Sequence, residues 1–168
     1  MLFQPPPTNE NVVVITNGGG AGVIAADACE EYQLNLMDIP EDLDKKFREY
    51  MPPFGSTRNP IDLTGEATEE SYRGAVRVAL EDPRVGGILV IYCHTAITDP
   101  GMIARAIIKS YIECRAPKPI AVSFIGGVEC NEGLKLLNDV GIPAYPSPDR
   151  AASSLGAYYR WARYAELI

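Results

Sequence analysis

The sequence is short of histidine, of basic charge, of paired cysteines and of long apolar runs, and each shortage narrows what the protein can do. A single histidine, His94, stands in 168 residues. No ligand cluster with metal-site spacing accompanies it, so a metal centre is not expected. The 15 Lys and Arg residues face 22 Asp and Glu, for a net charge of −7. With no basic block to offset it, that balance argues against a nucleic-acid backbone or an anionic membrane as partner. No segment approaches the roughly 18 uninterrupted apolar residues of a membrane span. Cys29, Cys93, Cys114 and Cys130 are scattered, with no C-x-x-C pair and no secretory leader read ahead of them. They are expected to be reduced, small core residues of a cytoplasmic protein. The phosphate-loop pattern G-x-x-x-x-G-K-[ST] is absent as well.

What is present is the ordinary material of one globular domain: an apolar fraction of 46% and a charged fraction of 22%. The opening "MLFQPPPTNEN", residues 1–11, reads as a proline-rich extended linker ahead of a domain at 12–168. From Val12 onward, short β-branched runs alternate with helical periodicity. Strands are expected at 12–16, 34–37, 60–63, 87–93, 119–125 and 142–145. Helices are expected at 20–32, 40–50, 68–81, 99–114, 129–140 and 148–166. The 20–32 helix puts Val23, Ile24, Ala28 and Tyr32 near one face. Most of the aromatics of the last helix, Tyr158, Tyr159, Trp161 and Tyr164, are expected to pack on the sheet, and any left exposed would mark an interdomain face. Strands alternating with helices require right-handed crossovers, hence a mostly parallel sheet covered on both faces. The fold class is α/β, a flavodoxin-like or Rossmann-like doubly wound domain with its sites at the carboxyl ends of the strands.

Two turns at that edge draw the eye. The first is "ITNGGGAGVIAADACEEY", where a strand runs through Gly18, Gly19, Gly20, Ala21 and Gly22 into a helix whose first amides can hold an anion. Gly20, Gly22 and Ala25 also fit G-x-G-x-x-[GA], with Asp38 near the place of a ribose-binding acid. On that ground an NAD(P)-binding Rossmann-like oxidoreductase domain stays open, as does a non-catalytic flavodoxin-like interaction module whose glycines only pack. The second turn is Gly65, Glu66, Ala67 and Thr68 in "NPIDLTGEATEESY", with Thr68 as helix N-cap. Its acidic residues complement the helix dipole, and they would weaken anion binding unless they point away. Neither turn carries a nucleophile or general base. His94 ends a strand at the same edge; its residue type suits phosphoryl or proton transfer, but no carboxylate is spaced to orient it. "GGVECNEG" repeats glycines before a helix, with Glu129 and Glu132 making it acidic.

Five blocks, "VVVITNGGGAGVIAADACEEY", "NPIDLTGEATEESY", "ILVIYCHTAITDP", "KPIAVSFIGG" and "GIPAYPSPDRAASSL", stand in the order of one domain of the ADP-forming acyl-CoA synthetases. That family includes the ADP-forming acetyl-CoA synthetases and is related to succinyl-CoA synthetase; the chain resembles its second flavodoxin-like, CoA-ligase domain from about Val12 to Tyr159. The resemblance implies a ligase that interconverts acyl-CoA, ADP and phosphate with the free acid, CoA and ATP through an acyl phosphate and a phosphohistidine. It implies partners: a CoA-binding and phosphohistidine domain, an ATP-grasp domain or subunit, and inorganic phosphate. CoA, ADP or ATP, and Mg would be bound by those other domains, and no cofactor tightly by this chain. Carried over by motif, Gly65, Glu66, Ala67 and Thr68, with Gly18 to Gly22 beside them, would hold the partner's phosphohistidine. The family's own phosphohistidine lies in a His-Thr-Gly segment, whereas His94-Thr95 is followed by Ala96. No catalytic residue is therefore assigned to this chain, which is expected to be inactive alone, as a subunit or as a domain of a longer enzyme.

Overall fold

The computed structural model describes residues 4–115 and 117–168. Six strands, β1 (Asn11–Thr16), β2 (Asn35–Leu36), β3 (Ile61–Asp62), β4 (Gly87–Cys93), β5 (Ile120–Ile125) and β6 (Ala144–Tyr145), alternate with six helices. The helices are α1 (Gly19–Glu31), α2 (Glu41–Arg48), α3 (Glu69–Glu81), α4 (Pro100–Glu113), α5 (Asn131–Asp139) and α6 (Pro148–Tyr164). The strand order is β2-β1-β4-β5-β6, and every pairing between these strands is parallel. β4 runs along one edge of β1 from Val12 to Thr16, so β2 and β3 share the other edge. β2 pairs at Asn11 and Val12, and β3 at Ile15 and Thr16. Counting those two as one position gives the flavodoxin-like order.

Asn59 fills the gap between the two short strands. Its Nδ2 donates to the carbonyls of Val12 (2.8 Å) and Met37 (3.1 Å), and its Oδ1 accepts the Val14 N–H at 2.9 Å. One side-chain amide thus supplies the donor and acceptor that a longer edge strand would have offered.

β1 and β4 are buried on both faces, as near-continuous Val and Ile runs in a parallel sheet must be. Val13, Ile15, Ile88, Val90 and Tyr92 pack toward α2, α3, α4 and α5. Val12, Val14, Leu89 and Ile91 pack toward α1 and α6.

That second face corrects the expectation for α1. Val23 and Ile24 are exposed, and the buried stripe is Gly22, Ala25, Ala28 and Cys29. α1 packs against α6, which presents Ala151, Ala152, Leu155 and Gly156, and a Cβ on Gly156 would come within 2.7 Å of Tyr32 Cβ. Helices this close accept only small side chains between them, so the stripe of small residues won over the bulkier one. In α6 only Tyr159 is fully buried among the four aromatics; Tyr158 stacks on half-exposed Trp161, and Tyr164 is exposed.

The other differences are local. The helix expected over 129–140 begins as a 3-10 turn, Gly127–Cys130, before α5. In the segment read as a linker, Gln4 and Pro7 are buried while Pro6 and Thr8 are exposed. The Gln4 side chain donates to Gly141 O and accepts the Ile120 N–H, while Tyr158 donates to Gln4 O at 2.6 Å. Met1 to Phe3 of that segment lie outside the described residues. Among the described residues, no helix is long and apolar enough to cross a membrane.

Candidate functional site

The chain leaves β1 toward β2 on one side and returns to β4 on the other, so the carboxyl ends of β1 and β4 flank a switch point, where open α/β sheets place ligands. Asn17, almost fully buried, ties these two ends together. Its Oδ1 accepts the Cys93 N–H at 2.7 Å and its Nδ2 donates to Cys93 O at 2.9 Å. Gly18 then turns the chain, held by Thr16, whose Oγ1 accepts the Gly18 N–H and donates to Gly18 O, both at 3.1 Å. A Cβ on Gly18 would lie 2.9 Å from Cys93 Sγ, so only glycine brings the turn this close to β4.

Gly18 is also the N-cap of α1, and no side chain caps the helix. The first closing bond is Gly22 N–H to Gly18 O at 3.0 Å, and the N–H groups of Gly19, Gly20 and Ala21 find no acceptor among the described residues. Three unpaired amides and the positive end of a 13-residue helix therefore open at the switch point. A Cβ on Gly20 would meet nothing within 4 Å, so the turn faces open space there.

The second turn is built differently. Asp62 ends β3 and its Oδ1 accepts the Thr64 N–H at 2.9 Å, with Thr64 at a φ of 70°. Ala67 is buried and donates its N–H to Thr64 O. Thr68 caps α3 in a reciprocal box with Ser71, as each side chain accepts from the other's backbone. Gly65 faces open space, but α3 satisfies its own Ser71 amide, so its start is less free than that of α1. The two turns follow neighbouring strands, β1 and β3, while their helices lie on opposite faces of the sheet. A groove of about 180 Å³ joins Thr68 and Glu69 to Ile97, Thr98 and Met102, linking the second turn to the segment after β4.

Electrostatically the edge is acidic. A Cβ on Gly19 would lie 3.2 Å from Asp62 Oδ2, which places that carboxylate against the glycine turn. Burial first, and Asp62 second, push the Cys93 thiol up, so the sulfur beside Gly18 is a neutral thiol. His94 follows β4, its ring Nδ1 3.1 Å from Tyr92 Oη. The expected ribose acid is not brought to the turn. Asp38 follows β2, whose pairing stops at Val12, and β3 takes the edge at Ile15 and Thr16, beside the glycines. Among the described residues, no three His, Cys, Asp or Glu side chains gather as a metal cluster. Sequence reasoning missed Asn17, Asp62 and Tyr92; the only local signal was a polar side chain at the end of an apolar strand.

Comparisons with known proteins meet this geometry. The chain is 50% identical over 160 residues to the alpha subunit of acetate–CoA ligase [ADP-forming] I of Pyrococcus furiosus, covering 95% of this chain and 34% of that subunit. It is 35% identical over 166 residues to acetate–CoA ligase [ADP-forming] of Methanocaldococcus jannaschii, with 96% and 23% covered. It thus spans 34% and 23% of the length of these relatives. Dinucleotide forming acetyl-coenzyme A synthetase 1 of Candidatus Korarchaeum cryptofilum, solved in complex with phosphate and ADP, superposes with a TM-score of 0.93 at 39% identity, over 98% of this chain and 36% of that one. A family model described as the Ligase-CoA domain matches residues 12–168, from the first buried residue of β1 to the end of the chain. The chain belongs to the Ligase-CoA domain family.

Proposed function

We propose that this chain works as the Ligase-CoA domain of an ADP-forming acyl-CoA synthetase, holding a phosphoryl group carried on a partner domain's histidine. The enzyme would interconvert acyl-CoA, ADP and phosphate with the free acid, CoA and ATP. The observation that carries the reading is the start of α1: three amides without acceptors, no side-chain cap, and open space in front of Gly20. Donors fixed by a helix can stabilise a phosphoryl dianion without reorganising and without a basic side chain. The relatives supply the reaction, being ADP-forming acetate–CoA ligases, and the Korarchaeum synthetase was solved with phosphate and ADP. CoA, nucleotide and Mg would be held by the CoA-binding and ATP-grasp parts, which also choose the acid. The second turn, Gly65 to Thr68, stands beside the first as a lesser contact. Exposed Val23, Ile24, Ile97, Met102 and Val128 on the helices and segments of this edge suit a partner domain docking over it.

The test uses the complete enzyme. Gly20→Glu has room for its side chain, and a carboxylate at a helix start stabilises the helix by about 0.3–1 kcal/mol. The variant should fold at least as well as the parent while phosphorylation of the partner's histidine falls roughly 10-fold or more, since the new carboxylate repels the phosphoryl dianion and competes for the same amides. Gly65→Glu, equally unhindered, should fall less. Unchanged phosphoryl transfer in both variants would sink the reading, and a loss confined to Gly65→Glu would move the phosphate to the α3 turn.

A further inference from the structure

The edge that would receive a phosphoryl dianion is poor in positive charge. None of the six segments leaving the carboxyl ends of the strands contains Lys or Arg, whereas Asp38, Glu66 and Asp99 lie in them and Asp62 ends β3. His94 is the one basic side chain among them. Its setting is built rather than incidental. The backbone N–H of His94 donates to Ile125 O at 2.7 Å, which keeps it in register with β5. Its Cβ occupies the space where a side chain on Gly126 would stand, 2.4 Å away. Nδ1 lies 3.1 Å from Tyr92 Oη, and Tyr92 Oη lies 2.7 Å from Thr98 Oγ1, which is 3.0 Å from Thr95 Oγ1. The Tyr92 ring is itself fixed between Tyr72 and Phe124. One face of the imidazole is thus satisfied by a rigid hydroxyl chain, and Nε2 has no partner among the described residues.

We propose that His94 is a phosphate-contacting residue of the site, its Nδ1–H donating to Tyr92 and its Nε2–H to an oxygen of the phosphoryl group at the switch point. This rests on the proposed function. In that arrangement both ring nitrogens donate, so Tyr92 Oη accepts the Nδ1–H hydrogen bond and donates its own O–H to Thr98. The group would balance the Asp62 carboxylate beside Gly19 and add a charge-assisted bond to the neutral amides of α1. No covalent bond forms at His94, and the phosphoryl group stays on its carrier. The other titratable groups on the surrounding elements are Cys93 and Asp99 on either side of the segment, Glu129 and Cys130 of the 3-10 turn, and the Arg105–Glu132 pair between α4 and α5.

The complete enzyme is assayed in the direction of ATP formation, with inorganic phosphate as the varied substrate, for the parent, His94→Gln, His94→Phe and Tyr92→Phe. For His94→Phe, KM for phosphate should rise roughly 10- to 100-fold, with kcat less affected and the unfolding midpoint close to the parent's. His94→Gln, which keeps a neutral donor, should lie between. Tyr92→Phe, which removes the hydroxyl that holds Nδ1, should raise KM for phosphate less than His94→Phe does, without changing the fold. KM unchanged in His94→Phe overturns the assignment, as does labelled phosphate recovered covalently on His94, which would make it a carrier. If the parent enzyme makes no ATP from acyl-CoA, ADP and phosphate, the proposed function falls and this assignment with it; if it does and the variants match it, only the assignment falls.

Discussion

At Gly18 one methyl group decides whether β1 can hand the chain to α1 beside β4. Gly18→Ala would set a Cβ 2.9 Å from Cys93 Sγ and 3.5 Å from Cys93 Cβ. The sulfur is the atom in the way. Overpacking of this kind costs about 1–3 kcal/mol, so urea unfolding should show that loss in Gly18→Ala and recovery of most of it in Gly18→Ala with Cys93→Ala. Equal instability in single and double variants would place the strain elsewhere. Asn17 illustrates what a reading of residues in a row does not see. A polar side chain between an apolar strand and three glycines reads as part of a turn, yet its partner, Cys93, is 76 residues away. Separation in sequence likewise hid Asp62 from Gly19 of the glycine turn. Tyr92 was visible as one more aromatic of a buried strand, and its role as the rest for His94 depends on how the following segment folds back.

Among the elements, α3 was the most legible. Thr68 as N-cap and the acidic residues of the first turn both stand in the structure, and Tyr72, Ala75, Val76, Ala79 and Leu80 are among its buried residues, at helical spacing. Capping signals and a 3.6-residue period are local, and this helix is amphipathic in the ordinary way. Thr68→Ala should lower stability by about 1 kcal/mol in thermal or urea unfolding, whereas Thr68→Ser should stay near the parent; no loss in the alanine variant would deny the cap its weight. α1 was legible as a helix and misread as a face. Its bulky apolar residues, Val23 and Ile24, look outward, because α1 meets the sheet and α6 across a narrow gap with Gly22, Ala25, Ala28 and Cys29. Burial pushes the Cys29 thiol in that gap up to about 12, which keeps it neutral and unreactive. β2 and β3 were each found as strands, but that they divide one edge of β1, bridged by Asn59, is a matter of pairing that no single segment contains.

Over the whole molecule, separate elements are tied by ion pairs that respond to acid. Arg84 reaches Asp82 at 2.6 Å and Asp42 at 2.7 Å, joining the end of α3 to α2. The hydrogen bonds from Arg84 hold both carboxyls below their ordinary value of 3.8. Arg163 does the same for Glu10, joining α6 to the strand-entry segment. Carboxylates lowered by folding contribute stability that is complete above the unfolded value and lost as the pH falls through the folded one. Arg84→Met should therefore be less stable than the parent at neutral pH, with the difference shrinking as the pH drops below about 4. Urea midpoints measured across that range check it; a difference that persists at low pH would mean that the arginine acts by packing.

The sequence by itself determined the alternation of strands and helices, the parallel doubly wound class and the glycine turns at the strand ends. Those features follow from side-chain period, propensity and short-range capping, which act within a few residues. Only the tertiary structure decided which face of α1 is buried, that β3 stands between Asp38 and the glycine turn, and that α1 opens uncapped while α3 closes on itself. It alone brought Asp62 against Gly19 and Cys93 against Gly18. Each of these depends on how closely distant segments approach, and close approach is set by the volumes and unpaired polar groups of the other segment.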